Sequence, residues 1–240
     1  MPGRKLRLET LHKDPSFLVL DKTGGLLSIP DRYDSTLPSV LSMLDGTGAI
    51  PVHRLDRDTS GVIVFALSEE AHRSLNKQFA ERSVEKYYHA VVQGEPAEPD
   101  FEIDEPILSD QGRAHKSIID RRGKKSRTKC RLVERLGPFS IVEAKPLTGR
   151  THQVRVHLAS VGLPIVADSL YGDGRPFLLS EVKRSYTPGK HDERPLLGRL
   201  GLHAARLTFD HPDTGGRLEF EAEYPKDFRA SITQLRKLFG

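Results

Sequence analysis

His53-Arg54-Leu55-Asp56-Arg57-Asp58-Thr59-Ser60-Gly61 runs directly into Val62-Ile63-Val64-Phe65-Ala66-Leu67, a polar loop set against the longest apolar run in the chain. The β-branched run reads as a buried strand, and polar loops leading into such strands are favoured places for chemistry. Ser68 can then cap a helix in which Ala71, Leu75 and Phe79 recur every fourth residue, with Glu69 and Glu70 placed where the helix dipole favours them. Upstream, residues 16–20 (SFLVL) read as another buried strand, ended by the turn-forming Asp21-Lys22-Thr23-Gly24-Gly25. Downstream, residues 86–92 (KYYHAVV) form a strand with Tyr88, Ala90 and Val92 on one face and Tyr87, His89 and Val91 on the other. Residues 126–134 and 140–145 read as neighbouring strands about Gly137-Pro138, and 202–209 and 218–220 as a hairpin about Asp213-Thr214-Gly215-Gly216. Thr151 is the expected N-cap of a helix with Val154, Leu158 and Val161 in register and Gly162 as its stop. A closing amphipathic helix over about 226–239 uses Phe228, Ile232, Leu235 and Phe239. Strand and helix patterns interleave throughout, so the expected fold is α+β, in one domain over 1–240 with its core at about 10–225. Residues 172–200 lack any period and read as an insertion that is functional or mobile.

Composition narrows the function. Apolar residues are 37% of the 240, and 20 glycines bring the total into the globular range, which excludes disorder for most of the chain. A single cysteine, Cys130, forms neither an internal disulfide nor a cysteine metal cluster. The six-residue apolar run is far short of a membrane span, and the basic start of the chain carries no signal-like apolar stretch. A reducing, cytoplasmic setting and no membrane partner are expected. The net charge of +4 conceals a segregation. Residues 113–135 hold ten Lys or Arg against Asp120 and Glu134, whereas 95–110 hold seven acidic groups and no basic one. Such clusters are often solvated surface. The stretch 113–129, with Arg121, Arg122, Lys124, Lys125 and Arg127 grouped around Gly123, nevertheless reads as a basic loop suited to a polyanion.

Arg54-x-Asp56 alone has a bland reading, two opposite charges in a surface turn. A second arginine-bearing segment strengthens the case for chemistry. Thr148-Gly149-Arg150-Thr151-His152-Gln153-Val154-Arg155-Val156-His157 concentrates N–H donors and cations at a turn and helix start, a site for a phosphate or carboxylate. His152 and His157, five apart, do not share a helix face and no cysteine completes a set, so no metal is expected.

Taken together, the residues resemble a known family. His-Arg-Leu-Asp-x-x-Thr-Ser-Gly (53–61), Lys-x-Tyr-x-Ala-x-Val-x-Gly (86–94), Thr-Gly-Arg-Thr-His-Gln-Val-Arg-Val-His (148–157) and Leu-His-Ala (202–204) occur in the order of the RluA family of RNA pseudouridine synthases, over roughly 10–225. Leu163 to Gly172 is similar to the family's Pro-Ile-x-Gly-Asp-x-x-Tyr-Gly stretch, with Ala167 where the family usually has glycine. The resemblance implies a largely antiparallel mixed sheet with flanking helices and a central basic cleft. It implies isomerisation of uridine in RNA without cofactor: the N1 glycosidic bond breaks, the uracil turns, and it rejoins the ribose through C5. Asp56 matches the essential aspartate, whether it adds to C1′ or assists proton removal at C2′. Arg155 matches the arginine that would keep that carboxylate ionised, and Tyr88 the tyrosine that would take the C5 proton while packing on the uracil. Arg54 matches the position that fills the stack vacated by the extruded base; its alternative is an ion pair with Asp58. His53, Arg57 and Arg150 join Arg54 and the basic loop as candidate RNA contacts.

The strand at 16–20 lies so near the start of the sequence that no N-terminal accessory RNA-binding domain is expected. A stem-loop of rRNA or tRNA is the expected partner, with no protein partner required and a monomer compatible with the sequence. Two competitors stand beside this reading: a non-catalytic RNA-binding or chaperone protein on the same fold, and an aspartate-nucleophile hydrolase of small nucleosides. The first would bind RNA without forming pseudouridine. The second would gain little from the basic stretch.

Overall fold

The computed structural model describes residues 8–32, 34, 36–111, 116–183, 186 and 193–240. In chain order these form β1 (Glu9–Lys13), β2 (Phe17–Lys22), α1 (Val40–Met43), β3 (Ile50–Pro51), β4 (Ser60–Ala66), α2 (Glu69–Glu81), β5 (Glu85–Gln93), β6 (Asp100–Asp104), β7 (Ile107–Gln111) and β8 (Lys116–Ile119). There follow β9 (Arg127–Leu136), β10 (Phe139–Pro146), α3 (Gln153–Ser160), α4 (Leu179–Val182), β11 (Leu202–Asp210), β12 (Arg217–Glu221) and α5 (Lys226–Phe239). Contacts divide the chain into two compact units, Met1–Tyr87 with His203–Glu223, and Tyr88–Leu202 with Tyr224–Gly240.

In the first unit β2 is antiparallel to both β1 and β4, while β4 is antiparallel to β3 and parallel to β11, which carries β12 as an antiparallel hairpin. The parallel β4–β11 pairing makes the sheet mixed. All seven β4 residues are buried, which is why its sequence is a continuous apolar run and not an alternating one. Val62, Val64 and Ala66 pack with Phe17 and Val19 of β2, Ala71 and Leu75 of α2, and Leu207 and Phe209 of β11. Ser68 caps α2 as the sequence predicts, its Oγ accepting from the Ala71 N–H at 3.1 Å. Gly61 is required where β4 meets β11: its φ is +112°, and a Cβ there would lie 2.1 Å from the Ala204 carbonyl oxygen. Beside it, buried His203 donates from Nε2 to the Ala222 carbonyl (3.1 Å) and so accepts the Ser60 hydroxyl proton at Nδ1 (2.9 Å), tying the Leu-His-Ala stretch to the start of β4.

In the second unit β5, β10, β9 and β6 follow one another in antiparallel order, and β7 pairs with β8 separately. The expected alternation of β5 holds. Ala90 and Val92 pack with Val142, Ala144, Val154 and Leu158, with Tyr88 against the same cluster, while Val91 packs with Ile141 and with Phe228, Ile232 and Leu235 of α5.

Two expectations for α3 need correction. Thr151 does not cap α3: the chain enters at His152 in the left-handed region (φ 55°), and the helix starts at Gln153. Six consecutive residues, Gln153 to Leu158, are buried, so hydrogen bonding of the polar ones and not an apolar stripe sets the orientation of α3, and Val161 falls beyond its end, 47% exposed. Within the basic stretch 113–129, β8 takes 116–119 and β9 begins at Arg127, and Arg121, Arg122, Lys124 and Lys125 lie in the turn about Gly123 between them; residues 113–115 lie outside the described residues. Finally, the segregated charges meet in space. β6 from the acidic run pairs with β9 from the basic one, placing Glu102 opposite Lys129, Asp100 opposite Arg131 and Asp104 opposite Arg127. The irregular stretch 172–200 includes α4 and is pinned by buried Phe177 and Leu197, which bridge to each other; 184–185 and 187–192 lie outside the described residues.

Candidate active site

The backbone of the first arginine-bearing segment is held from below by two side chains of β2 and the turn after it. Lys22, fully buried, donates from Nζ to the carbonyls of Leu26 (2.7 Å), Arg57 (2.9 Å) and Thr23 (3.2 Å). Ser28 Oγ donates to the Leu55 carbonyl at 2.8 Å and accepts the Leu55 N–H at 2.9 Å, so one hydroxyl satisfies both polar groups of a buried residue. The Gly25 N–H also reaches the Arg57 carbonyl (2.9 Å), and the Thr59 N–H the Asp56 carbonyl (3.2 Å). Residues 55, 57 and 59 are thus anchored, while Arg54 and Arg57 are exposed and Asp56 is partly so. Arg54 forms no ion pair among the described residues; the nearest cation to Asp58 in its own loop is Arg57, whose Nε is 3.9 Å from Oδ1. The local Arg54–Asp58 pair weighed above is therefore not formed.

His53 faces inward. Its Nε2 accepts the Val64 N–H at 3.1 Å and its ring stacks on Phe79 at 4.8 Å. Burial, with the charge of Lys86 adding to it, pushes its pKa down to about 3, so the ring is neutral and its proton sits on Nδ1. At the start of β5, Tyr87 is occupied structurally: its hydroxyl donates to Glu85 Oε2 at 2.6 Å and the Arg206 guanidinium covers its ring at 3.9 Å. Tyr88 shares its strand face with Ala90 and is partly buried.

The second segment is organised by its own side chains. Gln153 Oε1 accepts from the Thr148 hydroxyl (2.7 Å) and the Arg150 N–H (3.1 Å), while its Nε2 donates to the Arg127 carbonyl and Thr128 Oγ1, both at 3.0 Å. Arg155, 7% exposed, donates from Nε (2.8 Å) and Nη2 (2.7 Å) to the two oxygens of fully buried Asp168. Burial pushes the Asp168 carboxyl up, but the Arg155 hydrogen bonds and charge, with the Leu170 and Tyr171 N–H groups, outweigh it and hold the pKa below the ordinary carboxylate value. Asp168 follows Ala167, which keeps a left-handed φ of 56°. The small departure from glycine therefore leaves the backbone in a glycine-like conformation. Tyr171 accepts the Ser117 N–H at 2.8 Å and lies 3.1 Å from His152 Nδ1, with Lys116 and Arg155 over its ring at 5.0 and 5.3 Å. His157 uses both nitrogens, Nε2 donating to the Glu105 carbonyl (3.0 Å) and Nδ1 accepting from Thr128 (2.8 Å). Arg150 keeps a buried Nε with no hydrogen-bond partner among the described residues.

Of the basic stretch, Arg122 is tied to Asp120 (2.7 Å) and Arg127 Nε lies 3.4 Å from Glu102, whereas Arg121, Lys124 and Lys125 are exposed without an ion pair among the described residues. Sequence reasoning assigned no role to Lys22, Ser28, Gln153, Asp168 or Tyr171. Asp168 and Tyr171 lay within a quoted stretch, and Lys22 within a quoted turn; a lysine between an apolar strand and two glycines was the available signal. Among the described residues no helix is long and apolar enough to cross a membrane.

Comparison with known proteins bears on what these segments do. A family model described as RNA pseudouridylate synthase matches residues 16–160. The chain is 37% identical to the dual-specificity RNA pseudouridine synthase RluA of Escherichia coli (strain K12), over 95% of this chain and 97% of that one. It is 35% identical to the ribosomal large subunit pseudouridine synthase D of Zymomonas mobilis, over 95% and 73% respectively. Among solved structures, human RNA pseudouridylate synthase domain containing 1 superposes with a TM-score of 0.70 at 31% identity, covering 94% of this chain and 86% of that one.

Proposed function

The chain belongs to the RNA pseudouridylate synthase family, an isomerase family acting on uridine in RNA, and from that premise we propose that it modifies particular uridines in folded rRNA or tRNA with Asp56 as the essential carboxylate. The observation that carries this is the treatment of residues 53–59: four backbone hydrogen bonds from Lys22, Gly25 and Ser28 hold the segment while Asp56 keeps access to solvent. A carboxylate on an anchored backbone is what a reaction at a ribose carbon needs, since positioning supplies much of the rate. The N1–C1′ bond breaks, the uracil turns, the C5–C1′ bond forms, and the proton on C5 leaves to a base, for which Tyr88 is our assignment. Arg155 is the cation assigned to Asp56. Arg54, exposed and without an ion pair among the described residues, is suited to stack where the extruded base was. Exposed Arg57, Arg121, Lys124 and Lys125 would meet phosphates, and Arg150 would gain an acceptor for its buried Nε. His53 is better placed as a support than as an RNA contact, because its Nε2 is spent on Val64.

The test is pseudouridine formation on unmodified rRNA and tRNA transcripts. Asp56→Asn should form no product while retaining RNA affinity within about threefold, and Tyr88→Phe should block release of the C5 proton. Normal turnover by Asp56→Asn would remove the carboxylate from its role, and RNA binding by wild-type protein without product would favour the chaperone reading.

A further inference from the structure

Lys86 is a charged side chain that the reaction above leaves unused. It lies near the start of β5 and, by strand alternation, on the face that carries Tyr88. Its ammonium is 5.9 Å from the centroid of the Phe79 ring, on which His53 stacks at 4.8 Å. Neither neighbour offers a negative charge, since Phe79 is apolar and the His53 imidazole is neutral. No carboxylate pairs with Lys86 among the described residues, in contrast to Lys77 on α2, which has Glu81 at 3.9 Å. Burial also lowers the Lys86 pKa from its ordinary value, so folding has removed water from the ammonium without supplying a counter-charge. An anion arriving with a ligand would remove that penalty. In RNA the anionic group is the phosphodiester; uracil and ribose are neutral at physiological pH.

We propose that Lys86 is a phosphate-binding residue, taking a phosphodiester oxygen of the RNA strand beside the His53–Asp56 segment. The inference rests on RNA being the substrate and extends that reading to a residue outside the basic stretch. A compact ammonium on a flexible stem suits a single phosphate oxygen, and the flat Phe79 face fixes the stem's direction.

The experiment measures RNA affinity against salt for the full chain, using the same unmodified rRNA and tRNA transcripts. Lys86→Met, which keeps the apolar stem, should weaken binding about tenfold near 0.1 M salt and reduce the slope of log K against log salt by about 0.7–0.9. Its KM should rise while kcat at saturating RNA stays within about twofold, and Lys86→Arg should recover the slope. A folded Lys86→Met protein with the wild-type slope would overturn the proposal. A second measurement needs no variant: acylation of wild-type amines with peptide mapping, in which RNA should protect Lys86 and leave Lys77 labelled. Equal labelling of Lys86 with and without RNA would also overturn it. Product formation by the wild type is scored in the same samples, so failure of the isomerase reading shows there and failure of the phosphate contact shows in the slope.

Discussion

In residues 53–59 the backbone is gripped by side chains from elsewhere, Lys22 and Ser28, and Arg54 and Arg57 are exposed; in residues 148–157 the side chains grip one another and their neighbours, with Arg155 on Asp168 and Gln153 on Thr148. The buried cation of the first region donates to three carbonyls. That of the second meets a full carboxylate. A loop held through its backbone does not need its own side chains to keep its shape, whereas a segment held through ion pairs must commit its side chains to hold its shape. In the second region one arginine, Arg155, is both a structural ion-pair partner and a candidate for catalysis.

The contrast can be broken most sharply at Asp168. Asp168→Ala leaves the Arg155 guanidinium buried and uncompensated, and should destabilise the protein by about 3–5 kcal/mol in denaturant unfolding. Because the folded pKa of Asp168 lies below the ordinary carboxylate value, its contribution is complete above about pH 4 and is lost as pH falls through the folded pKa. The variant should therefore show a flatter acid limb than wild type; an unchanged limb would mean that Arg155 finds solvent or another acceptor. Lys22→Met tests the other region. It strips a charged donor from three carbonyls and should cost about 2–3 kcal/mol, with loss of turnover exceeding the loss of RNA affinity as residue 56 shifts. Equal stability would show that water replaces the ammonium.

Among the described residues of the β8–β9 turn, cations with and without an ion pair stand side by side. Lys124→Ala with Lys125→Ala should reduce the salt slope of RNA binding by about 1.5, and Arg122→Ala by less than half of that, because Asp120 already occupies the Arg122 guanidinium. Equal effects would remove the distinction. The smallest effect is expected beside Asp168, where Ala167→Gly should raise stability by up to about 1 kcal/mol by relieving a left-handed φ, partly offset by the greater freedom of glycine in the unfolded chain. A loss of stability there would show that the Ala167 methyl packs usefully.

Legibility in the sequence followed the range of the forces involved. β4, the Ser68 cap and the two faces of β5 were readable because each depends on neighbours within a few residues. The N-terminus of α3 was misread because Thr151 has the right chemistry for a cap, but Gln153, two residues on, claims the turn by bonding Thr148 and Arg150, and the helix then begins after a left-handed His152. The neighbours of the basic stretch were not readable, because acidic groups far from it in sequence reach it only in the fold: Glu102 approaches Arg127, and Glu95 pairs with Arg135.

From the sequence alone came the order of the motifs, hence the family, and the strand and helix periods that surround them, since local periodicity and residue identity survive without coordinates. The tertiary structure decided which partner each buried charge takes: Asp168 for Arg155 across 13 residues, and the Arg57 carbonyl for Lys22 across 35. A buried charge bonds whatever donor or acceptor the fold brings within 3 Å, and that neighbour is set by chain crossings that no local pattern encodes.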